Sequence, residues 1–132
     1  MPRDYEGELS AYRLEKAMEM LKSAELELSS GSYASANNRA YFAVFHAMRA
    51  VLALDNLDFK KHSGVISYFK QLYIKTGAFD KSLSKIIDSA SEIRNKSDYD
   101  DFYVCSKKDS AQLVSDAQHF VAQVADYLKT KE

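Results

Sequence analysis

Glycine and proline are scarce in this sequence, which holds four glycines and a single proline, Pro2, among its 132 residues. Average usage would give roughly 16 residues of these two types in a chain of this length. Collagen-like and low-complexity chains need far more of both, and domains built from β-strands need many turns that contain them. The scarcity therefore excludes the first two classes and argues against an all-β fold.

Cysteine and long apolar runs are also missing. Cys105 is the only cysteine, so the chain can form neither an internal disulfide nor a multi-thiolate metal cluster. The first eight residues contain no apolar stretch of signal-peptide type, and no run approaches the ~20 apolar residues of a membrane span. We therefore expect a cytoplasmic protein in a reducing compartment, without a membrane partner.

Neither sign of charge dominates, because 18 basic and 19 acidic residues give a formal net charge of −1. Such a chain has no global field that would attract nucleic acid or an anionic membrane. One stretch is locally basic, since residues 60–85 hold six lysines against one acidic residue, Asp80. A solvated helix face is the more common explanation of this segregation, and an RNA-binding face is the alternative.

Apolar residues recur at intervals of three and four along most of the chain, which is the helical period. In the first segment this row consists of Leu14, Ala17, Leu21, Ala24 and Leu28. The expected helices span about 8–29, 33–54, 62–75 and 81–97 or 81–98, and a fifth helix follows Ser106. They predict an all-α protein: a single domain over residues 1–132, folded as an up-and-down bundle of about five helices.

Glycines and capping residues mark the expected helix ends. Gly31 and Gly77 follow apolar rows, at positions where glycine commonly ends a helix. Ser32 and Asp80 stand where they can cap the next helices. Ser106, together with Asp109 three residues later, resembles a capping box in which aspartate replaces the usual glutamate or glutamine.

The second helix is apolar around well over half of its circumference, which predicts a central position in the bundle. One side carries alanines, and the bulky side consists of Tyr41, Phe45, Met48 and Leu52. The remaining narrow stripe contains Phe42 among the polar residues Asn38, Arg39, His46 and Arg49. These four polar residues are candidate binding residues, and the aromatic ring among them suggests contact with a second copy of the chain.

The patterns of common metal and nucleophile sites are missing. Di-iron bundles need paired Glu-x-x-His motifs, whereas the nearest pattern is a single Asp116-x-x-His119. His46 and His62 lack ligand spacing, and the acidic turn at 98–101 lacks the glycine and distal glutamate of a calcium loop. The sequence also contains no Gly-x-Ser-x-Gly elbow and no glycine-rich phosphate loop. We therefore expect neither a metal nor a cofactor.

Arg94 falls inside the apolar arc of the fourth helix, between Leu83 and Ile87 by angle. A guanidinium in that position needs a partner, because stranding its charge away from water is costly. Asp98, one turn later, can supply a structural ion pair, which the spacing alone favours. In the alternative hypothesis the planar guanidinium is a binding group for a phosphate.

Three stretches together resemble the HEPN family of small helical proteins. Residues 38–47 read NRAYFAVFHA, residues 61–69 read KHSGVISYF, and the third stretch is Arg94 followed by Asp98 and Tyr99. They occur in the family's order, and the likeness extends from about residue 10 to 129. The resemblance implies a four-helix core and a homodimer. It also implies a minimal nucleotidyltransferase as the partner of a toxin–antitoxin pair.

The resemblance further implies a chemistry. Active HEPN toxins are metal-independent ribonucleases that carry an Arg-x4-6-His motif at the dimer interface. Arg94 matches the arginine, but Tyr99, Asp100 and Asp101 occupy the histidine positions, as in the Arg-x3-Asp-Tyr subgroup. The candidate catalytic residues are therefore Arg94, Asp98 and Tyr99, and Tyr99 is also a candidate for adenylylation by the nucleotidyltransferase.

Two functions follow as expectations. The first is the HEPN subunit of a nucleotidyltransferase-paired toxin–antitoxin or stress system that cleaves RNA, with Asp98 or Tyr99 in place of the missing histidine. The second is a non-catalytic helical module that binds its partner or a nucleotide. Cleavage of RNA that disappears in the Arg94→Ala variant would distinguish the first from the second.

Overall fold

The computed structural model describes residues 5–132, and Pro2 lies outside this range. Five α-helices occur in the described part of the chain: α1 (Tyr5–Ser29), α2 (Tyr33–Leu54), α3 (His62–Phe69), α4 (Ser82–Tyr99) and α5 (Lys107–Lys129). A π-helical segment, Lys70–Ile74, continues α3. This architecture confirms the predicted all-α class. No helix among residues 5–132 is both long enough and apolar enough to span a bilayer.

Helices α1, α2, α4 and α5 form an up-and-down four-helix core. Ser10, early in α1, donates a 2.7 Å hydrogen bond to the carbonyl oxygen of Ala50, late in α2, so these two helices are antiparallel. Asn37, early in α2, bonds to Ser97 at the end of α4 and to Ser110 at the start of α5. Helix α4 therefore runs antiparallel to α2, and α5 runs parallel to it.

Helix α2 occupies the centre, as its wide apolar arc predicted. It contacts each of the other four helices. Its alanines are completely buried, namely Ala36, Ala40, Ala43, Ala47 and Ala50. On its bulky side Met48 and Leu52 are buried as well. The small residues let neighbouring helices approach closely, while the large ones fill the core. Helix α2 therefore holds its polar stripe in a fixed position.

The helix ends mostly agree with the sequence prediction. Gly31 and Gly77 have positive φ angles of 81° and 87°, the left-handed backbone that ends a helix. Helix α1 begins at Tyr5 rather than near Glu8, and Glu6 lies in a first turn whose positive dipole end favours carboxylates. Ser32 precedes α2 but makes no side-chain capping bond, so the capping prediction was wrong there.

The predicted cap at Ser106 is present, whereas Asp80 lies one residue before Lys81, the N-cap of α4. Asp80 accepts a 3.3 Å hydrogen bond from the Ser82 amide through its carboxylate at the start of α4. The Ser106 hydroxyl accepts a 3.0 Å bond from the Asp109 amide, which opens α5. Helix α4 runs on to Tyr99, so its last turn carries the acidic and aromatic side chains that the sequence singled out.

Two apolar residues at helical spacing, Leu72 and Ala111, are exposed rather than buried in the core. Leu72 is 38% exposed because it lies in the π-helical segment. A π turn holds more residues than an α turn, so successive residues are separated by a smaller angle about the helix axis. Tyr73, rather than Leu72, therefore lies with Phe69 on the side that faces the core. Ala111 is also exposed, because Ser110 occupies the inward position at the start of α5 and is completely buried.

Candidate functional site

Arg94 lies near the end of α4, where it faces the first half of α2. Its Nε donates a 3.1 Å hydrogen bond to Oδ2 of Asp98, as the spacing predicted. The guanidinium carbon is 5.2 Å from the ring centroids of Tyr41 and Phe42 and 5.5 Å from that of Tyr99. With 17% of its side chain exposed, Arg94 is held in an aromatic cage that still opens to solvent.

A chain of hydrogen bonds connects this arginine to α2. Nδ2 of Asn38 donates a 2.9 Å bond to the same Asp98 oxygen that Arg94 uses. Nη1 of Arg39 donates a 2.8 Å bond to Oδ1 of Asn38. The structure therefore brings five predicted site residues together. We call this set the Arg94 surface: Asn38, Arg39, Arg94, Asp98 and Tyr99.

His62, the first residue of α3, reaches the edge of this surface. Its Nδ1 lies 2.9 Å from the hydroxyl oxygen of Tyr41, and its ring stacks on Phe45 at 4.1 Å between centroids. Burial lowers the pKa of His62, and the positive charges of Arg94 and Arg49 lower it further. Burial raises the pKa of Tyr41, although Arg94 opposes that shift. Both groups are therefore uncharged at neutral pH.

Asp58, in the loop before α3, connects two arginines. Its Oδ2 lies 3.3 Å from Nη2 of Arg13, and its Oδ1 lies 3.2 Å from Nη2 of Arg49. Burial alone would raise the pKa of Asp58, but Arg13 and Arg49 hold it below its ordinary value. Nε of Arg49 is buried and has no hydrogen-bond partner in the described residues. One carboxylate thus serves two guanidinium groups, which leaves an excess of positive charge.

His46 lies beside these arginines. It lines an open pocket of about 440 Å³ together with Arg13, Lys16 and Arg49. Burial lowers the pKa of His46, and the positive charges of Arg49, Lys16 and Arg13 act in the same direction. The polar stripe of α2 is therefore divided: Asn38 belongs to the Arg94 surface, whereas His46 and Arg49 belong to a second, cationic cluster.

Comparison with known proteins places this geometry in a family. A family model described as the HEPN domain matches residues 10–127. The chain belongs to the HEPN family. This confirms the resemblance drawn from three short motifs, and the match covers the four core helices together with α3.

Relatives of this HEPN chain include proteins of archaea and bacteria. It is 32% identical over 118 residues to “Putative toxin MJ0142” of Methanocaldococcus jannaschii, covering 89% of this chain and 80% of that one. It is 33% identical over 110 residues to a UPF0332 protein of Thermotoga maritima, covering 83% of each. The crystal structure of TT1696 from Thermus thermophilus shares the fold, with a TM-score of 0.77 at 18% identity. That likeness covers 89% of this chain and 97% of TT1696.

Sequence reasoning missed Asn37, whose buried hydrogen bonds stabilise the helices that carry the Arg94 surface of this HEPN chain. Asn37 is completely buried; it donates to the Ser97 hydroxyl at 3.0 Å and accepts from Ser110 at 2.8 Å. These bonds tie the start of α2 to the end of α4, where Arg94 lies. A signal was present, because a polar residue four positions before Tyr41 interrupts the apolar arc of α2.

The remaining histidine of the HEPN chain lies apart from both clusters. His119 is exposed on α5, and the neighbouring Asp116 accepts a hydrogen bond from Gln112 at 2.9 Å. Among residues 5–132 no group of three histidine, cysteine or acidic side chains could hold a metal ion. The locally basic stretch is partly neutralised, since Lys70 lies 2.5 Å from Asp88.

Proposed function

We propose that this chain is the HEPN subunit of a toxin–antitoxin or stress system and that it acts on RNA at the Arg94 surface. The observation that carries the proposal is the arrangement of Arg94 itself. Three aromatic rings and the Asp98 carboxylate hold the guanidinium in place, yet part of it remains exposed. A fixed, planar and accessible guanidinium suits a phosphodiester, because its parallel donors match two phosphate oxygens.

The three guanidinium nitrogens of Arg94 differ in their hydrogen bonding. Nε binds Asp98 at 3.1 Å, and Nη1 binds Oδ1 of Asn95 at 3.3 Å. Among the described residues Nη2 has no hydrogen-bond partner and is not among the buried unpaired atoms, so this nitrogen reaches solvent and is available to a ligand. The toxin role is supported by similarity, because relatives from Methanocaldococcus jannaschii that are 32% and 31% identical carry candidate-toxin names.

The proposed reaction needs no metal. The 2′-hydroxyl of RNA attacks the adjacent phosphorus, and its proton passes to the Asp98 carboxylate. The new bond is 2′-O–P, the broken bond is P–O5′, and the departing 5′-oxygen takes a proton from water. The hydroxide left behind removes the proton from Asp98, which restores the carboxylate. Arg94 stabilises the negative charge that builds on the phosphate oxygens in the transition state. Asp98 thus replaces the histidine of the Arg-x4-6-His motif.

The alternative function is a non-catalytic module that binds a nucleotide or a protein partner. A specific observation favours it: Arg94 already has an anionic partner in Asp98, and residues 99–101 contain no histidine. In this alternative Arg94 binds phosphate but accelerates no reaction, so RNA remains intact.

Incubation with a labelled single-stranded RNA in the presence of a chelator separates the two functions. The enzyme proposal predicts shortened RNA, and no shortening of DNA of the same sequence, because DNA lacks the 2′-hydroxyl that attacks. Intact RNA that still binds to the chain supports the alternative.

A homodimer is part of the proposal. Tyr99, Phe102 and Val104 are strongly exposed beside the Arg94 surface, and Phe102 reaches 93%. Phe42, the aromatic ring in the polar stripe of α2, is only half-buried, since it packs on Tyr41 and His62 from one side. Three strongly exposed apolar side chains within six residues of the chain favour an interface here.

Sedimentation equilibrium at micromolar concentration is expected to give twice the chain mass. The Phe102→Asp variant is expected to shift the equilibrium towards the monomer, with the helical circular dichroism unchanged, because it places a charge in the apolar contact. A monomeric wild-type chain would contradict the dimer.

The proposed second partner is a minimal nucleotidyltransferase that meets the HEPN chain in the cytoplasm and adenylylates Tyr99. The Tyr99 side chain is 73% exposed, so a modifying enzyme can reach it. An AMP group on Tyr99 would place a phosphate beside the guanidinium of Arg94, where it would compete with RNA.

Incubation of the chain with ATP and a minimal nucleotidyltransferase encoded beside its gene is expected to add AMP to Tyr99. Mass spectrometry maps the modified residue. The Tyr99→Phe variant is expected to remain unmodified, whereas the Tyr12→Phe variant, which removes another exposed phenol, is expected to behave as wild type. Modification at another residue, or none with an active partner, would exclude Tyr99.

A further inference from the structure

We infer that the open pocket between α2 and the start of α3 binds one nucleotide, with its base against aromatic rings and its phosphate beside Arg49. We call it the α2–α3 pocket; its lining consists of Phe45, Arg49, Asp58, Phe59, Lys60 and His62. Its volume of about 540 Å³ lies within the range of small-molecule sites. The inference rests on the proposed function insofar as RNA supplies the nucleotide.

The aromatic wall of the pocket is held in place by the fold. Phe45 belongs to the core of the bundle, and the His62 ring stacks on it at 4.1 Å. Phe59 stacks on Tyr68 with centroids 4.3 Å apart and planes within 6°. A Cβ atom at Gly64 would approach Cβ of Phe59 to 3.2 Å, so glycine permits this close packing. Phe45 itself is covered, so the partly exposed rings of Phe59 and His62 supply the faces on which a nucleic-acid base can stack.

The polar wall of the pocket carries an unbalanced positive charge. Asp58 is shared by Arg49 and Arg13, so one carboxylate faces two guanidinium groups, and the exposed Lys60 adds a third cation. Nε of Arg49 is buried and unpaired among the described residues. This atom is out of a ligand's reach, but 27% of the Arg49 side chain is exposed, so its guanidinium can still meet a phosphate that balances the charge.

The α2–α3 pocket adjoins the Arg94 surface. His62 lines the pocket and contacts the Tyr41 hydroxyl at 2.9 Å, while the Tyr41 ring lies 5.2 Å from the Arg94 guanidinium. A nucleotide in the pocket would therefore neighbour a phosphate bound at Arg94. The pocket thus supplies a stacking site for an RNA base next to the bond that the Arg94 surface is proposed to cleave.

A nucleotide fits this pocket better than a second copy of the chain does. In a two-fold symmetric dimer centred on this pocket, the cations of one copy would lie close to those of the other. Like charges in such a contact repel each other. A nucleotide carries the opposite charge together with an aromatic face, and both complement the lining.

The test measures binding of the full chain to a fluorescein-labelled hexameric RNA with 2′-O-methyl groups, which cannot be cleaved by 2′-oxygen attack, and to 5′-AMP. Phe59→Ala and Arg49→Gln are each expected to weaken binding about tenfold or more. The matched controls Tyr5→Ala and Lys129→Gln remove an exposed ring and an exposed cation outside the pocket and the proposed dimer contact, and are expected to bind as wild type does. Circular dichroism melting confirms that each variant folds.

The outcomes separate the pocket from the proposed function. Tight RNA binding with weak AMP binding identifies an RNA nucleotide as the occupant, whereas equal affinities identify a free nucleotide. If the chain leaves cleavable RNA intact but binds the probe through Phe59 and Arg49, the pocket inference stands and the ribonuclease proposal is wrong. Folded Phe59→Ala and Arg49→Gln variants with wild-type affinity would overturn the inference. If both variants became monomeric and kept wild-type affinity for the RNA, the pocket would belong to a contact between subunits. That result would also overturn the inference.

Discussion

Replacing Arg94 with alanine is expected to lower the rate of RNA cleavage by about 100-fold or more while the bundle remains folded. Removal of one donor that stabilises transition-state charge typically costs that much. The fold is expected to survive because Asp98 keeps a second donor, Nδ2 of Asn38, at 2.9 Å. The carboxylate is therefore not left unpaired when the guanidinium is removed.

Two further variants sharpen this prediction. Arg94→Lys keeps the charge but loses the planar fork, so it is expected to recover only part of the rate. Lys96→Ala removes a cation from the same helix whose partner is Glu92 at 2.9 Å, and is expected to cleave as wild type does. Equal losses in Arg94→Ala and Lys96→Ala would indicate a general charge effect. A destabilised Arg94→Ala variant that still binds and cleaves RNA would show that the Arg94–Asp98 pair is structural.

Replacing Phe45 with alanine is expected to lower the free energy of unfolding by about 3–5 kcal/mol. The ring is only 6% exposed, stacks with His62 and Tyr41, and belongs to the helix that contacts every other helix. The cavity cannot collapse easily, because α2 is packed on several sides. A urea titration of wild type and variant measures the difference, provided that the slope of the transition is unchanged.

Tyr5→Ala is the control for this stability measurement. Its ring is 66% exposed, so truncation to alanine is expected to alter the free energy of unfolding by no more than about 0.5 kcal/mol. A loss below about 1 kcal/mol in Phe45→Ala would contradict the central role of α2, because complete truncation of a buried ring costs more.

The fold followed from the sequence where the signal was local and repeated. The apolar arc of α2 predicted its bounds and its central position, and Gly31 marked the turn before it. The π-helical segment could not be predicted, because the pattern around Leu72 fits a regular helix equally well. Long-range contacts decide that segment, including the bond that Tyr73 donates to Asp55.

The site was predictable only where its residues are neighbours in sequence. Arg94 and Asp98 lie one helical turn apart, so their pair followed from spacing. Asp58 and Arg13 are 45 positions apart and meet only through the fold. The polar stripe of α2 was read as one surface, but Asn38 and His46 are eight residues apart, which is about 12 Å along a helix. Each end of the stripe therefore meets different partners.

The most direct test of the account is the magnetic resonance of the Arg94 side chain during titration with the uncleavable RNA. The Nε–Hε signal of Arg94, assigned by its disappearance in Arg94→Lys, is expected to shift progressively and saturate as the RNA binds. That result would show that the caged guanidinium contacts the nucleic acid. An Arg94 signal that stays constant while the RNA demonstrably binds elsewhere on the chain would contradict the proposal that the Arg94 surface acts on RNA.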